Sequence, residues 1–202
     1  MKATFLMPLT VLCLFFSACD RNDDDDSNGG TTNGTDPRAN STWVYKVTQY
    51  NEAGATIGSV NMTLKGVEVT LGGATWLNMV DQSTMQPVIA LRKNTDGWWY
   101  LPYPGTATSL WFKYPATVNE TYPYVYGTCT VKNINESVTV PAGAFTGTYM
   151  VEGHDTNSLE DEFWFTTSGA VLVKFNTYDQ KAAGPASNVF KKQSLELVSY
   201  TR

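Results

Sequence analysis

From Trp43 onward, apolar and polar residues tend to alternate one for one along the chain. Val67, Val69 and Leu71 are separated by Glu68 and Thr70, and Leu195 and Leu197 flank Glu196. Phe145, Gly147, Tyr149 and Val151 alternate with Thr146, Thr148, Met150 and Glu152. Successive side chains of a strand leave on opposite faces, so a period of two rich in Val, Thr, Tyr, Phe and Trp marks half-buried strands. Turn formers punctuate the pattern at Asn51–Gly54, Gly72-Gly73, Asp96-Gly97, Pro104-Gly105, Asn133–Asn135, Pro141–Gly143 and Gly184-Pro185. No stretch after residue 42 carries convincing apolar spacing of 3.6 residues. Short antiparallel strands at such intervals build a sandwich or a barrel, and the pattern predicts a single all-β domain over 43–202, an antiparallel meander of about ten strands curved into a barrel or half-barrel.

The first 42 residues follow a different rule. Met1-Lys2 is a short positive start, Ala3–Phe16 is an almost unbroken apolar run, and the small residues Ser17 and Ala18 precede Cys19. A positive tip, an apolar stretch and small residues before a cleavage point describe an export signal, and the run is shorter than the roughly 20 residues that span a bilayer. A cysteine directly after a small pair resembles the lipobox of bacterial lipoproteins. That resemblance implies cleavage before Cys19, acyl chains on it, and a membrane partner reached through the lipid. Cys13 fails as the anchor because bulky Leu12 precedes it. Residues 1–18 are therefore read as signal peptide.

From Asp20 to Thr42 there is no large apolar residue. Such a segment buries too little surface to offset its ordering entropy, so 19–42 is expected to be a lipidated, disordered acidic and polar tether. The block Asp23–Asp26 begins four residues after Cys19. It resembles the acidic signal of Bacteroidota-type lipoproteins, which implies an outer-membrane protein facing the cell exterior.

A second resemblance lies at the far end. Glu136–Phe145 (with Val140-Pro-Ala-Gly-Ala-Phe145), Glu162–Phe165, Val171–Lys174 and Leu195–Tyr200 are similar to the end of an uncharacterised family of exported all-β proteins. In that family a Pro-Gly-x-Gly-Leu-Val-Lys hairpin precedes a terminal Glu-Leu-x-Ser-Tyr strand. Here Ser168 stands for the proline and Val171 for the second glycine, so the turn is expected to be built differently. The resemblance implies a lipocalin-like meander and brings no catalytic residues.

Charge narrows the function. With Lys2, Arg21 and Arg38, and Asp20, Asp23–Asp26 and Asp36, lying upstream, the domain holds 11 Lys and Arg against 13 Asp and Glu, a net of −2. No basic cluster is present, which argues against a nucleic-acid partner. Cys129 is the only cysteine of the domain, and its strand parity with Val125 and Val131 predicts a buried, inert thiol. No cofactor motif is found.

Aromatic residues crowd one segment: Trp98, Trp99, Tyr100, Tyr103, Trp111, Phe112, Tyr114, Tyr122, Tyr124 and Tyr126. Strand alternation sends Trp98 and Trp99 to opposite faces, and likewise Trp111 and Phe112. Trp98, Trp99, Tyr100, Tyr103 and Trp111 are the candidate ligand-binding residues, for a glycan or an apolar small molecule. The competing account is that the inner rings are core and loops cover the outer ones. For catalysis the inventory is His154, placed in a loop, among Glu152, Asp155, Glu160, Asp161 and Glu162. A glycosidase needs two carboxylates and calcium needs oxygen ligands, but one histidine builds neither a multi-histidine metal site nor a triad without a nucleophile. The expected role is a non-catalytic binding module on a lipid anchor. A structural subunit of an envelope complex and a carboxylate-dependent hydrolase are the alternatives.

Overall fold

The computed structural model of the chain describes residues 36–103, 107–125, 127–155, 158–167, 169–185 and 188–202. Cys19, the signal peptide and Asp23–Asp26 lie outside the described residues, as do Pro104, Gly105, Tyr126 and Ser168. Twelve strands are described: β1 (Thr42–Tyr50), β2 (Thr56–Leu71), β3 (Ala74–Asp81), β4 (Gln86–Asn94), β5 (Gly97–Pro102), β6 (Ser109–Lys113), β7 (Thr121–Tyr124), β8 (Gly127–Val140), β9 (Gly143–Asp155), β10 (Ser158–Phe165), β11 (Leu172–Gln180) and β12 (Val189–Thr201). They form one antiparallel sheet in the order β6-β5-β4-β3-β2-β1-β12-β11-β10-β9-β8-β7. The protein is all-β, a meander nearly closed into a barrel. The described residues form twelve strands where about ten were expected; the aromatic segment includes β6 and β7, only five and four residues long.

The first and last strands meet inside the sheet, where β1 pairs with β12 from Thr42↔Thr201 to Gln49↔Gln193. The seam lies elsewhere, between β6 and β7, the two edges of the sheet. Across it the Tyr122 hydroxyl donates to the Trp111 carbonyl at 3.0 Å.

Alternation places the core. On β1, Trp43, Tyr45 and Val47 are buried, and the residues between them are half-buried or exposed. On β2 the inward positions are Met62, Leu64 and Gly66. The alternation of Val67, Val69 and Leu71 does mark a strand, but its apolar side is the outer one: Val67 is 41% exposed, and Val69 lies opposite Trp76. A β-carbon at Gly66 would come within 2.8 Å of the Arg38 carbonyl oxygen, because 38–41 runs alongside. Asn40 N–H donates to the Gly66 carbonyl and Gly66 N–H to the Ser41 carbonyl. Asp36 is buried and paired with Lys93 at 2.7 Å. The packed chain thus reaches back to Asp36, upstream of the boundary expected at Trp43.

Bulges re-aim side chains at several places. On the β5–β6 ladder Trp98 pairs with Phe112 and Trp99 with Leu110, which leaves Trp111 as an extra residue. An extra residue turns the side chains around it out of strict alternation. Trp111 and Phe112 are consequently both buried, against the expectation that one would face outward. Phe112 stacks on Phe165 at 4.4 Å, and Trp111 packs edge-on to Phe163 and Phe165. Asn133–Asn135, expected as a turn, lies within β8 where the ladder to β9 shifts register repeatedly.

Candidate functional site: an apolar cavity in the barrel

Aromatic rings fill one side of the interior. Phe163 stacks on Phe165 and Phe175, Trp111 tilts against Tyr100, and Tyr124 meets Phe163 edge-on. On the other side, β2–β4 contribute aliphatic residues, and a cavity of about 350 Å³ remains between the two. Its buried wall includes Tyr45, Leu64, Met79, Leu91, Tyr100 and Trp111. Its lining also includes half-buried Met62, Ile89, Pro102, Phe175 and Leu195 and exposed Val88, and these residues give the cavity its opening. No charged residue is among those that line it. An apolar void of this kind does not hold water well, and its size falls in the usual range of small-molecule sites, roughly 300–1,000 Å³.

The floor is made by the β10–β11 turn. Ala170, Val171 and Leu172 line the cavity, and two side chains of β1 bind their backbone. Trp43 Nε1 donates to the Ala170 carbonyl and the Tyr45 hydroxyl to the Leu172 carbonyl, each at 2.9 Å. Burial raises the pKa of the Tyr45 phenol far above its ordinary value, so it stays a donor. Val171 is 1% exposed with φ +65°. For a β-branched residue that conformation costs on the order of 1–3 kcal/mol and persists only where its surroundings impose it. Valine here occupies a left-handed backbone that glycine takes freely.

The candidate aromatic residues separate into three places. Tyr100 and Trp111 line the cavity. Trp98, paired with Phe112, is buried toward the barrel end closed by the β10–β11 turn, with the Lys93 ammonium 5.7 Å from its ring centre. Trp99 faces outward, half-buried, and its indole N–H donates to Asp96 at 2.8 Å. Tyr103 is half-buried in the turn after β5. Sequence reasoning missed Trp43 and Tyr45 as anchors of the floor, and Leu91, Met79 and Phe163 as lining. The parity of Trp43, Tyr45 and Val47 was readable, but the carbonyls that Trp43 and Tyr45 bind lie 127 residues away.

The acidic cluster is divided by the sheet. Asp161 points inward, 6% exposed, where Tyr124 donates to its Oδ2 at 2.8 Å. Burial pushes its carboxyl up to about 6, against the lowering effect of the Tyr124 and Thr177 hydrogen bonds. Glu162 faces outward and accepts from Asn176 Nδ2 at 2.8 Å and from the Tyr178 hydroxyl at 2.5 Å. Glu152, its cross-strand partner, binds Lys132 at 3.3 Å and His154 Nε2 at 3.1 Å. His154 sits on β9, not in a loop. Among the described residues no three His, Cys, Asp or Glu side chains converge on a point where a metal ion would be held. Cys129 is fully buried, and burial pushes its thiol up to about 12, as an inert core residue requires.

No protein-family model, curated protein or solved structure matches the chain.

Proposed function

We propose that the chain is a lipid-anchored envelope lipoprotein, facing the cell exterior, whose barrel binds an apolar small molecule without catalysis. One observation carries the binding reading: an apolar cavity of about 350 Å³ with no charged lining residue and a half-buried rim. A hydrolase would need a carboxylate or a nucleophile at the place where substrate sits. Here Glu152 and Glu162 lie on the opposite face of the sheet from the cavity, and Asp161 is not among the residues that line it. The ligand class that fits is a slender acyl chain or a small ring system, since apolar burial is the main attraction this lining offers.

A fluorescent fatty acid whose emission rises in apolar surroundings tests the reading. Saturable binding to the wild type, displaced by unlabelled fatty acid, is expected. Ile89→Trp, which pushes a larger side chain into the cavity from its rim, is expected to abolish it. Absence of saturable binding, or binding indifferent to Ile89→Trp, overturns the proposal. The anchor is tested separately: fatty-acid labelling should disappear in Cys19→Ala. Replacement of Asp23–Asp26 by Ser and Asn should keep the label but protect the domain from protease added to intact cells.

A further inference from the structure

The outer wall of the barrel carries a second, chemically different recess. Arg92 and Trp99 are paired across β4 and β5, and Leu77↔Leu91 places Trp76 beside Arg92 on the neighbouring strand. The three side chains form one row across three strands, on the face away from the lumen. They line a shallow recess of about 340 Å³ together with Leu71, Asn94 and Thr108.

Local contacts hold the row in position. The Arg92 guanidinium lies 5.2 Å from the Trp76 ring centre, and its Nε donates to Asn94 Oδ1 at 3.0 Å. That bond uses the inner nitrogen. Among the described residues neither terminal amino group of Arg92 has a hydrogen-bond or salt-bridge partner, and Arg92 lines the recess. Trp99 is fixed by its indole bond to Asp96, which anchors the ring edge and leaves the ring as a wall. Among the described residues Arg92 is the only charged one lining the recess.

A ligand fitting this set has an apolar face for an indole, hydroxyls for Asn94 and Thr108, and an anionic group with two oxygens for the planar fork of an arginine. We propose that this recess binds a carboxylated sugar, as part of an acidic glycan, with the ring stacked on Trp99 and the carboxylate on Arg92. A sugar ring has one face of C–H groups and a rim of hydroxyls, so it satisfies the apolar and polar parts together. The carboxylate supplies bidentate charge-assisted hydrogen bonds, stronger than those of a neutral sugar. The site is separate from the lumen and stands or falls independently of what the lumen binds.

The test is calorimetric titration with an oligogalacturonide, with the neutral oligogalactoside of the same length and with polyglutamate. The acidic sugar is expected to bind, and the other two to bind about tenfold or more weakly, the neutral sugar for want of the charge-assisted contact to Arg92 and polyglutamate for want of a ring to stack on Trp99. Arg92→Gln and Trp99→Ala should each weaken oligogalacturonide binding by a similar factor. Ile89→Trp, altered in the lumen, should leave it unchanged. Arg92→Lys keeps the charge and loses the fork, so a several-fold loss there carries the argument even if Arg92→Gln fails to fold. Of the six indole N–H signals in a nitrogen-correlation spectrum, that of Trp99 should move on titration and that of Trp43, bonded to Ala170 inside the barrel, should stay. No binding, equal binding of the neutral sugar or polyglutamate, or unchanged affinity in Arg92→Lys and Trp99→Ala overturns the proposal.

Discussion

At the end of the barrel where the β10–β11 turn folds inward, buried carbonyls meet buried donors and ring stacks on ring. Trp43 and Tyr45 hold Ala170 and Leu172, Phe112 lies flat on Phe165, and the Ala142 N–H of the β8–β9 turn reaches the Leu197 carbonyl at 2.9 Å. At the opposite end the apolar residues are uncovered. Val60 is 66% exposed, Met85 72% and Val88 41%, and Ile89, Pro102 and Tyr124 are half-buried. One sheet supplies both ends, so the difference comes from what each turn does with its backbone. A turn that folds inward needs internal hydrogen-bond partners, because an unpaired buried carbonyl costs about 1–3 kcal/mol. A turn that stays outside bonds to itself or to water, as Asp81 does by accepting from Ser83 N–H at 2.7 Å, and it leaves the lumen beneath it open.

The largest effect that would break this contrast is in the aromatic core. Phe165→Ala removes a fully buried ring and should cost about 3–5 kcal/mol in denaturant unfolding. Phe175→Ala, half-buried and lining the cavity, should cost less than half as much and chiefly alter ligand affinity. Equal costs would mean that the two regions are packed alike.

The next effect is electrostatic. A carboxyl whose folded pKa of about 6 lies above its ordinary 3.8 favours the folded state most below pH 4. That contribution is lost as pH rises through 6, by up to about 3 kcal/mol at 1.36 kcal/mol per unit. Asp161→Asn should therefore gain stability relative to wild type at pH 7.5 and little at pH 4. A wild-type-minus-variant difference flat between those values would remove Asp161 from the account.

Tyr45→Phe comes third. It orphans the Leu172 carbonyl and should destabilise by about 1–2 kcal/mol, with little change in cavity size. The smallest effect lies at the rim: Val88→Ser should shift stability by about 0.5 kcal/mol or less, yet weaken binding of the fatty acid probe.

How much of this was legible in the sequence depended on the range of the interaction. Turns made by local chemistry were read correctly at Asn51–Gly54, Gly72-Gly73 and Pro141–Gly143. The turn at 82–85, built by Asp81 side-chain capping and a left-handed Met85, lacked glycine and proline and was missed. Strand alternation was visible, but which face would be the inner one was not. Val67, Val69 and Leu71 lie outside because the register with β3 places Val69 opposite Trp76. The fate of Trp111 and Phe112 turned on one extra residue in a ladder, which alternation alone does not reveal. Tyr100 and Trp111, singled out from their ring size, line the cavity. The cavity itself was out of reach, since a void is set by the residues that fail to fill it, and these come from strands far apart in the chain.

The seam between β6 and β7 bears on chain connectivity. Every other neighbouring pair of strands is consecutive in sequence except β1 and β12, which join residues about as far apart as the domain allows. A gene rearranged to begin at β7, run through β12, cross a short linker into Asp36 and end at β6 would encode the same sheet as an unbroken meander. Each strand would then pair with the one just made. Its new termini would fall at 114–120, a connection held by the Lys113–Glu120 ion pair and the Glu120 N–H to Thr117 carbonyl bond, where cutting the chain severs no ladder. Lower contact order speeds folding, so such a circular permutant should refold faster than the natural chain while keeping the same lumen.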